Sequence, residues 1–171
     1  GVRSLGFSNA SSLTAAIGSM SQGTVGCWMR RGMGNGADFD IYFYASGGVL
    51  SAVAGLGRNG KFHYWYGGTF YDTAVSWAVD QWYFVTVTFK AGQNYQLVVY
   101  DEQMTQLGAT TFGSGPGAMA SAMLYTSSAY SGSAFADEFQ VRKYDPLVPP
   151  AVVAAADATQ PTITAVSPLA N

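Results

Sequence analysis

Residues 81–90 read Gln81-Trp82-Tyr83-Phe84-Val85-Thr86-Val87-Thr88-Phe89-Lys90. Tyr83, Val85, Val87 and Phe89 share one face of an extended chain, and Trp82, Phe84, Thr86 and Thr88 share the other. Side chains alternate across a strand, so this period of two predicts a strand with one apolar face and one more polar face. Comparable runs lie on both sides: Thr24–Arg30, Asp38–Tyr44, Val49–Leu56, Lys61–Tyr66, Tyr95–Tyr100, Gln106–Thr111, Ala122–Thr126 and Phe135–Arg142. Arg58-Asn59-Gly60-Lys61 places Asn-Gly between two of them, a strong hairpin signal because both residue types accept positive φ. Asn9–Met20 carries Leu13, Ala16, Ile17 and Met20 at helical spacing, but it is short and Ser-rich and reads as loop with a helical turn. Short strands at regular spacing with no long helix predict an all-β, two-sheet antiparallel sandwich.

Composition agrees. The 171 residues include 21 Gly, 4 Trp, 11 Tyr and 10 Phe, while only 11% are charged. Such a chain can bury a core, which excludes disorder throughout. A net charge of −2 without a basic cluster argues against nucleic-acid binding. No apolar run is long enough for a membrane-spanning helix. Cys27 is the single cysteine, so an intrachain disulfide and a cysteine metal cluster are excluded, and it reads as a core residue. His63 is the single histidine, which disfavours a multi-histidine metal site and leaves it the role of a hydrogen-bonded bystander.

Composition shifts near Tyr144: every aromatic and all eight Lys and Arg lie at or before it, and five of six prolines lie after it. Residues 1–145 therefore read as the folded domain and residues 146–171 as an extended Pro/Ala/Val-rich arm. Within the arm, Thr162, Ile163, Thr164, Ala165 and Val166 form a short strand-like run suited to adding to a sheet edge, of this chain or of a neighbour.

Three stretches together resemble the laminin-G-like group of concanavalin A-like jelly rolls. Gly23–Arg30 is similar to an early strand containing a Trp. Gln81–Gly92 with Tyr95–Tyr100 is similar to a tryptophan-led strand and the hairpin after it. Phe135-Ala136-Asp137-Glu138-Phe139-Gln140-Val141 is similar to a closing strand. The resemblance covers roughly residues 3–145 and implies two curved antiparallel sheets forming a jelly roll, with ligands on a rim or the concave face.

Enzymes of this superfold that cleave β-glucans use a Glu-x-Asp-x-Glu strand to supply nucleophile and acid. Here Glu102 and Glu138 are the only glutamates, and the neighbours Asp137 and Glu138 point to opposite faces of a strand. A non-enzymatic chain is therefore expected. Asp137 is expected on the face of Phe135, Phe139 and Val141, hydrogen bonded or paired. Asp38-Phe39-Asp40 follows a Gly-rich loop and could offer two oxygens to calcium, the one cofactor the sequence suggests. The run Phe62–Tyr71 is the densest in aromatics; Phe62, Tyr64 and Tyr66 share one face of a strand, and His63 and Trp65 share the other. Tyr64, Trp65, Tyr66 and Tyr71 are the candidate ligand-binding residues.

Two functions are expected from these features. The leading one is a structural or adhesion module, an exterior or decorating component of an assembly such as a phage virion or surface fibre, acting as a homo-oligomer or beside other subunits outside the cell. The alternative is a carbohydrate-binding module that uses exposed aromatics, with calcium assisting.

Overall fold

A computed structural model describes residues 4–8, 11–33, 37–113, 117–126 and 132–143. Twelve strands occupy the described residues: β1 Leu5–Phe7, β2 Ser12–Met20, β3 Gln22–Arg31, β4 Phe39–Ala45, β5 Val49–Leu56, β6 Lys61–Tyr66, β7 Thr69–Ser76, β8 Trp82–Lys90, β9 Tyr95–Tyr100, β10 Gln106–Phe112, β11 Met119–Thr126 and β12 Ala134–Lys143. They form two six-stranded sheets, ordered β1-β12-β3-β8-β9-β10 and β2-β11-β4-β5-β6-β7. Every described pairing is antiparallel. This is the all-β jelly-roll sandwich read from the sequence. The arm at residues 146–171, including Thr162–Val166, lies outside the described residues.

The core lies between the sheets, where alternation delivers it. On β8, Tyr83, Val85, Val87 and Phe89 are all buried. They meet Phe39, Ile41 and Phe43 of β4 and Phe62 of β6, all without solvent exposure. Rings bridge the sheets: Phe43 to Phe89 at 6.4 Å, Phe62 to Tyr83 at 5.1 Å and Tyr64 to Phe112 at 4.6 Å. Cys27 packs in this core at zero exposure. Such aromatic pairs add about 0.5–1.5 kcal/mol each beyond area burial.

Several local readings are corrected. Within the stretch read as loop with a helical turn, Asn9–Met20, the described Ser12–Met20 is a strand. Leu13 and Ile17 share a face at even spacing. Between Ala16 and Met20 the pairing with β11 slips, and Gly18 there has φ 65°, so Met20 also reaches the core. A bulge thus imitates helical spacing. The Asn-Gly hairpin forms with one positive φ, at Gly60 (82°), and its Gly57 and Lys61 backbones close the turn. Strand β7, absent from the sequence reading, continues the second sheet beyond β6.

Asp137 does not share a face with Phe139 and Val141. The register of β12 on β3 slips between Asp137 and Gln140, and Glu138 has φ 48°. The extra residue turns the strand over. Phe135 and Asp137, opposite Arg30 and Trp28, point outward, whereas Phe139 and Val141 pack on the core.

Candidate functional site

The outer face of the second sheet, away from the first, collects the most varied chemistry in the fold. Cross-strand register aligns its residues in rows. One row runs Tyr125, Asp40, Gly55, His63, Asp72 across β11, β4, β5, β6 and β7. The adjacent row runs Met123, Tyr42, Val53, Trp65, Phe70. Acidic groups and the imidazole thus lie beside aromatic rings.

Asp40 and His63 sit on strands separated by β5, about 10 Å apart at two inter-strand spacings. Their side chains nevertheless meet, His63 Nε2 to Asp40 Oδ1, at 2.8 Å. The intervening residue is Gly55, where a Cβ would lie 2.5 Å from Asp40 Oδ1 and 2.3 Å from the Phe39 carbonyl oxygen. Only a residue without a side chain lets the pair close over it. Although both belong to the outer face, Asp40 and His63 are 2% and 4% exposed. Phe70 covers His63 with a ring separation of 4.8 Å.

Burial pushes the Asp40 carboxyl up, while the hydrogen bond and charge of His63 pull it down; burial prevails. Burial alone would lower His63, but the hydrogen bond and charge of Asp40, with Asp38 and Asp72 contributing, carry it above its ordinary value. Around the pair the polar groups are tied to backbone and to one another. Asp38 Oδ1 accepts the Arg58 N–H at 2.7 Å, and Asn59 Nδ2 donates to Asp72 Oδ2 at 2.7 Å.

Asp38, Asp40 and His63 each offer a ligand atom within 4.8 Å of the others. The structure therefore joins the two aspartates of the expected calcium site and adds His63 to them. Two carboxylates and an imidazole form a mixed oxygen and nitrogen donor set. Calcium takes six to eight oxygens, so an ion here would complete its shell from outside these three side chains.

The four aromatics expected to bind ligand are divided. Trp65 is on the outer face beside Phe70. Tyr64 and Tyr66 pack toward the core, Tyr64 against Phe112. Tyr71 is 47% exposed and lies with Tyr64 on the opposite side of the sheet, rings 5.4 Å apart. The structure adds Tyr42, Tyr44, Tyr125, Phe70 and Asp72 to the outer face. Tyr42 is 6.4 Å from Tyr44 and 5.3 Å from Tyr125, ring to ring. The alternation in Phe39-Asp40-Ile41-Tyr42-Phe43-Tyr44 already signals that Tyr42 and Tyr44 share a face with Asp40. The pairing of His63 with Asp40 has no such local signal.

The fold is that of the concanavalin A-like jelly rolls. Neither a protein-family model nor a curated protein matches the sequence. Among solved structures, the chain is similar to a tetrameric galectin from Cinachyrella sp. (ball sponge), at TM-score 0.53 and 12% identity over 79% of this chain and 100% of that one. It is similar to the exoplasmic/lumenal domain of VIP36 in its Ca2+/Man3GlcNAc-bound form, at TM-score 0.54 and 10% identity over 84% and 78%. It is also similar to scytalido-glutamic peptidase with a transition state analog inhibitor, at TM-score 0.54 and 15% identity over 80% and 78%.

The last comparison corrects the expectation of a non-enzymatic chain. That expectation rested on the absence of a glucanase-type pair of glutamates, and a peptidase has the same fold without being a glucanase. The fold does not set enzymes apart from binding modules.

Proposed function

We propose that the outer face of the second sheet binds carbohydrate, with Trp65 and Phe70 on one side and Tyr42, Tyr44 and Tyr125 on the other as the rings on which sugars stack. The observation that carries this reading is the row order. Rings stand directly beside the exposed Asp72, with the buried Asp40–His63 pair closed beneath them. A sugar presents apolar C–H faces edged with hydroxyls, and it matches a surface that offers aromatic planes next to hydrogen-bonding groups. Similarity to the galectin, and to VIP36 bound to calcium and an oligosaccharide, supports this use of the fold over the assembly role. Calcium at Asp38 and Asp40 belongs to the same proposal as an aid to binding.

A glycan array followed by titration calorimetry, with calcium and with chelator, tests the reading. Trp65→Ala and Phe70→Ala should each remove binding and leave the melting transition cooperative. Asp38→Asn should remove any calcium dependence. An array without hits in either condition refutes the proposal.

A further inference from the structure

The outer face of the first sheet carries a second aromatic surface, built around a cation. Register places Trp28, Phe84 and Tyr100 in one row across β3, β8 and β9. Their rings follow one another at 5.2 Å and 6.4 Å. The next row is Phe135, Arg30, Trp82 on β12, β3 and β8. All six side chains are half-buried, so their surfaces are neither core nor fully solvated.

Arg30 is the unusual member. Its guanidinium lies 4.4 Å from the Phe135 ring centre and 5.2 Å from that of Trp82. Two rings fix its plane and leave the in-plane N–H groups to be satisfied. Among the described residues it makes no hydrogen bond and no ion pair, and its Nε is buried without a partner. The buried Nε is out of a ligand's reach, and the terminal nitrogens, which are not among the buried unpartnered atoms, are the donors a ligand can meet. The nearby carboxylates are engaged elsewhere: Glu102 Oε1 accepts the Trp82 N–H at 3.1 Å, and Asp137 Oδ1 accepts the Glu138 N–H at 2.8 Å.

We infer that this face is a separate binding site for an acidic sugar, with the carboxylate of a uronate-type residue paired to Arg30 and the pyranose ring stacked on Trp28 and Phe84. A planar guanidinium held between rings meets a carboxylate edge-on, in the bidentate arrangement that such groups favour. Arg30 and Trp28 are two residues apart on one strand, about 7 Å. That spacing lets one ring substituent reach the cation while the ring itself rests on the indole. A neutral sugar leaves Arg30 unpaired, so the site discriminates by charge. This inference concerns a different sheet and a different ligand class from the proposal above and does not rest on it.

The test uses the full chain and three probes in calorimetry: a linear tetrasaccharide of galacturonate, its methyl ester, and sodium sulfate alone. The acid should bind about tenfold or more tightly than the ester, the range of a charge-assisted hydrogen bond, and its affinity should fall with added salt. Arg30→Gln should equalise acid and ester, and Arg30→Lys should recover part of the difference. Tyr100→Ala, at the end of the ring row, should weaken the acid in a chain whose melting is checked separately. Trp65→Ala, on the other sheet, should leave acid binding unchanged. Equal affinity for acid and ester, or loss of acid binding in Trp65→Ala, overturns the inference. Sulfate binding as tightly as the tetrasaccharide overturns it too, since stacking would then contribute nothing.

Discussion

Asp40 and His63 are hydrogen bonded at 2.8 Å across an intervening strand, over the bare backbone of Gly55. The pair lies buried beneath the candidate sugar face, and its pH behaviour follows from the shift of His63. In the folded chain His63 holds its proton above its ordinary value of 6.5. Folding therefore takes up a proton near neutrality. The stabilisation is complete below pH 6.5, where the unfolded imidazole is protonated too, and is lost as pH rises through the folded value. Stability in urea should accordingly fall as pH rises above 6.5. In Asp40→Asn, burial acts on His63 without the countering carboxylate, and that decline should vanish. A wild-type curve parallel to that of Asp40→Asn across this range would contradict the assignment. His63→Ala leaves Asp40 buried and unpaired and should cost about 3–5 kcal/mol.

Gly55→Ala tests the bridge itself. Its Cβ has no room beside the Phe39 carbonyl and Asp40 Oδ1. Overpacking of this kind costs about 1–3 kcal/mol, and the substitution should also return the His63 titration toward lower pH. Gly60→Ala is the control: its Cβ meets nothing within 4 Å, and only the positive φ of 82° opposes it. It should cost about 1–2 kcal/mol and leave His63 unchanged. Chemical denaturation combined with imidazole proton NMR reads both effects.

Trp65 and Tyr71 separate face from aromaticity. Both belong to the same aromatic run, but Trp65 is on the outer face, and Tyr71 stacks on Tyr64 from the other side. Tyr71→Ala should cost about 0.5–1.5 kcal/mol of stability and leave glycan affinity intact. Trp65→Ala should do the reverse. Equal losses of binding would mean that the ligand wraps the edge strand β7 rather than lying on the sheet.

The strands that alternate cleanly, β8 above all, were legible because one face is wholly core. The division of Phe62, Tyr64 and Tyr66 from His63 and Trp65 followed from the same rule. What escaped was whatever broke the period or joined distant strands. The bulge at Gly18 gave β2 a helical rhythm, and the bulge at Glu138 reversed the face of everything after it. Strand β7 hid because Thr69–Ser76 mixes exposed Phe70 and Tyr71 with Asp72 and Thr73, as an edge strand with little core contact allows. His63 read as a bystander because its partner lies 23 residues away on a non-adjacent strand. The candidate calcium ligands were half-legible for the same reason: Asp38-Phe39-Asp40 is local, while their convergence with His63 is tertiary.

Cys27 gives a probe of whether the first sheet opens. It lies on β3 between β12 and β8, at zero exposure, with Sγ 3.2 Å from the Trp28 carbonyl oxygen and 3.5 Å from that of Asp137. Burial pushes its thiol far above the ordinary range, and the nearby carboxylates add to the shift. Only the thiolate is alkylated, and a buried thiol cannot become one without opening. Sγ belongs to the core between the sheets and touches the Asp137 carbonyl at the start of the β12 bulge, so exposing it requires the sandwich to open, by parting of the sheets or by release of β12 from β3. Iodoacetamide should therefore modify the native chain at a rate that tracks the unfolded fraction across a urea series, with the global denaturant slope. Cys27→Ser places a stronger polar group in the same apolar site and should cost about 1–3 kcal/mol. Labelling that is fast in water, with a shallow urea dependence, would show a local opening around β3 that exposes Cys27 without global unfolding.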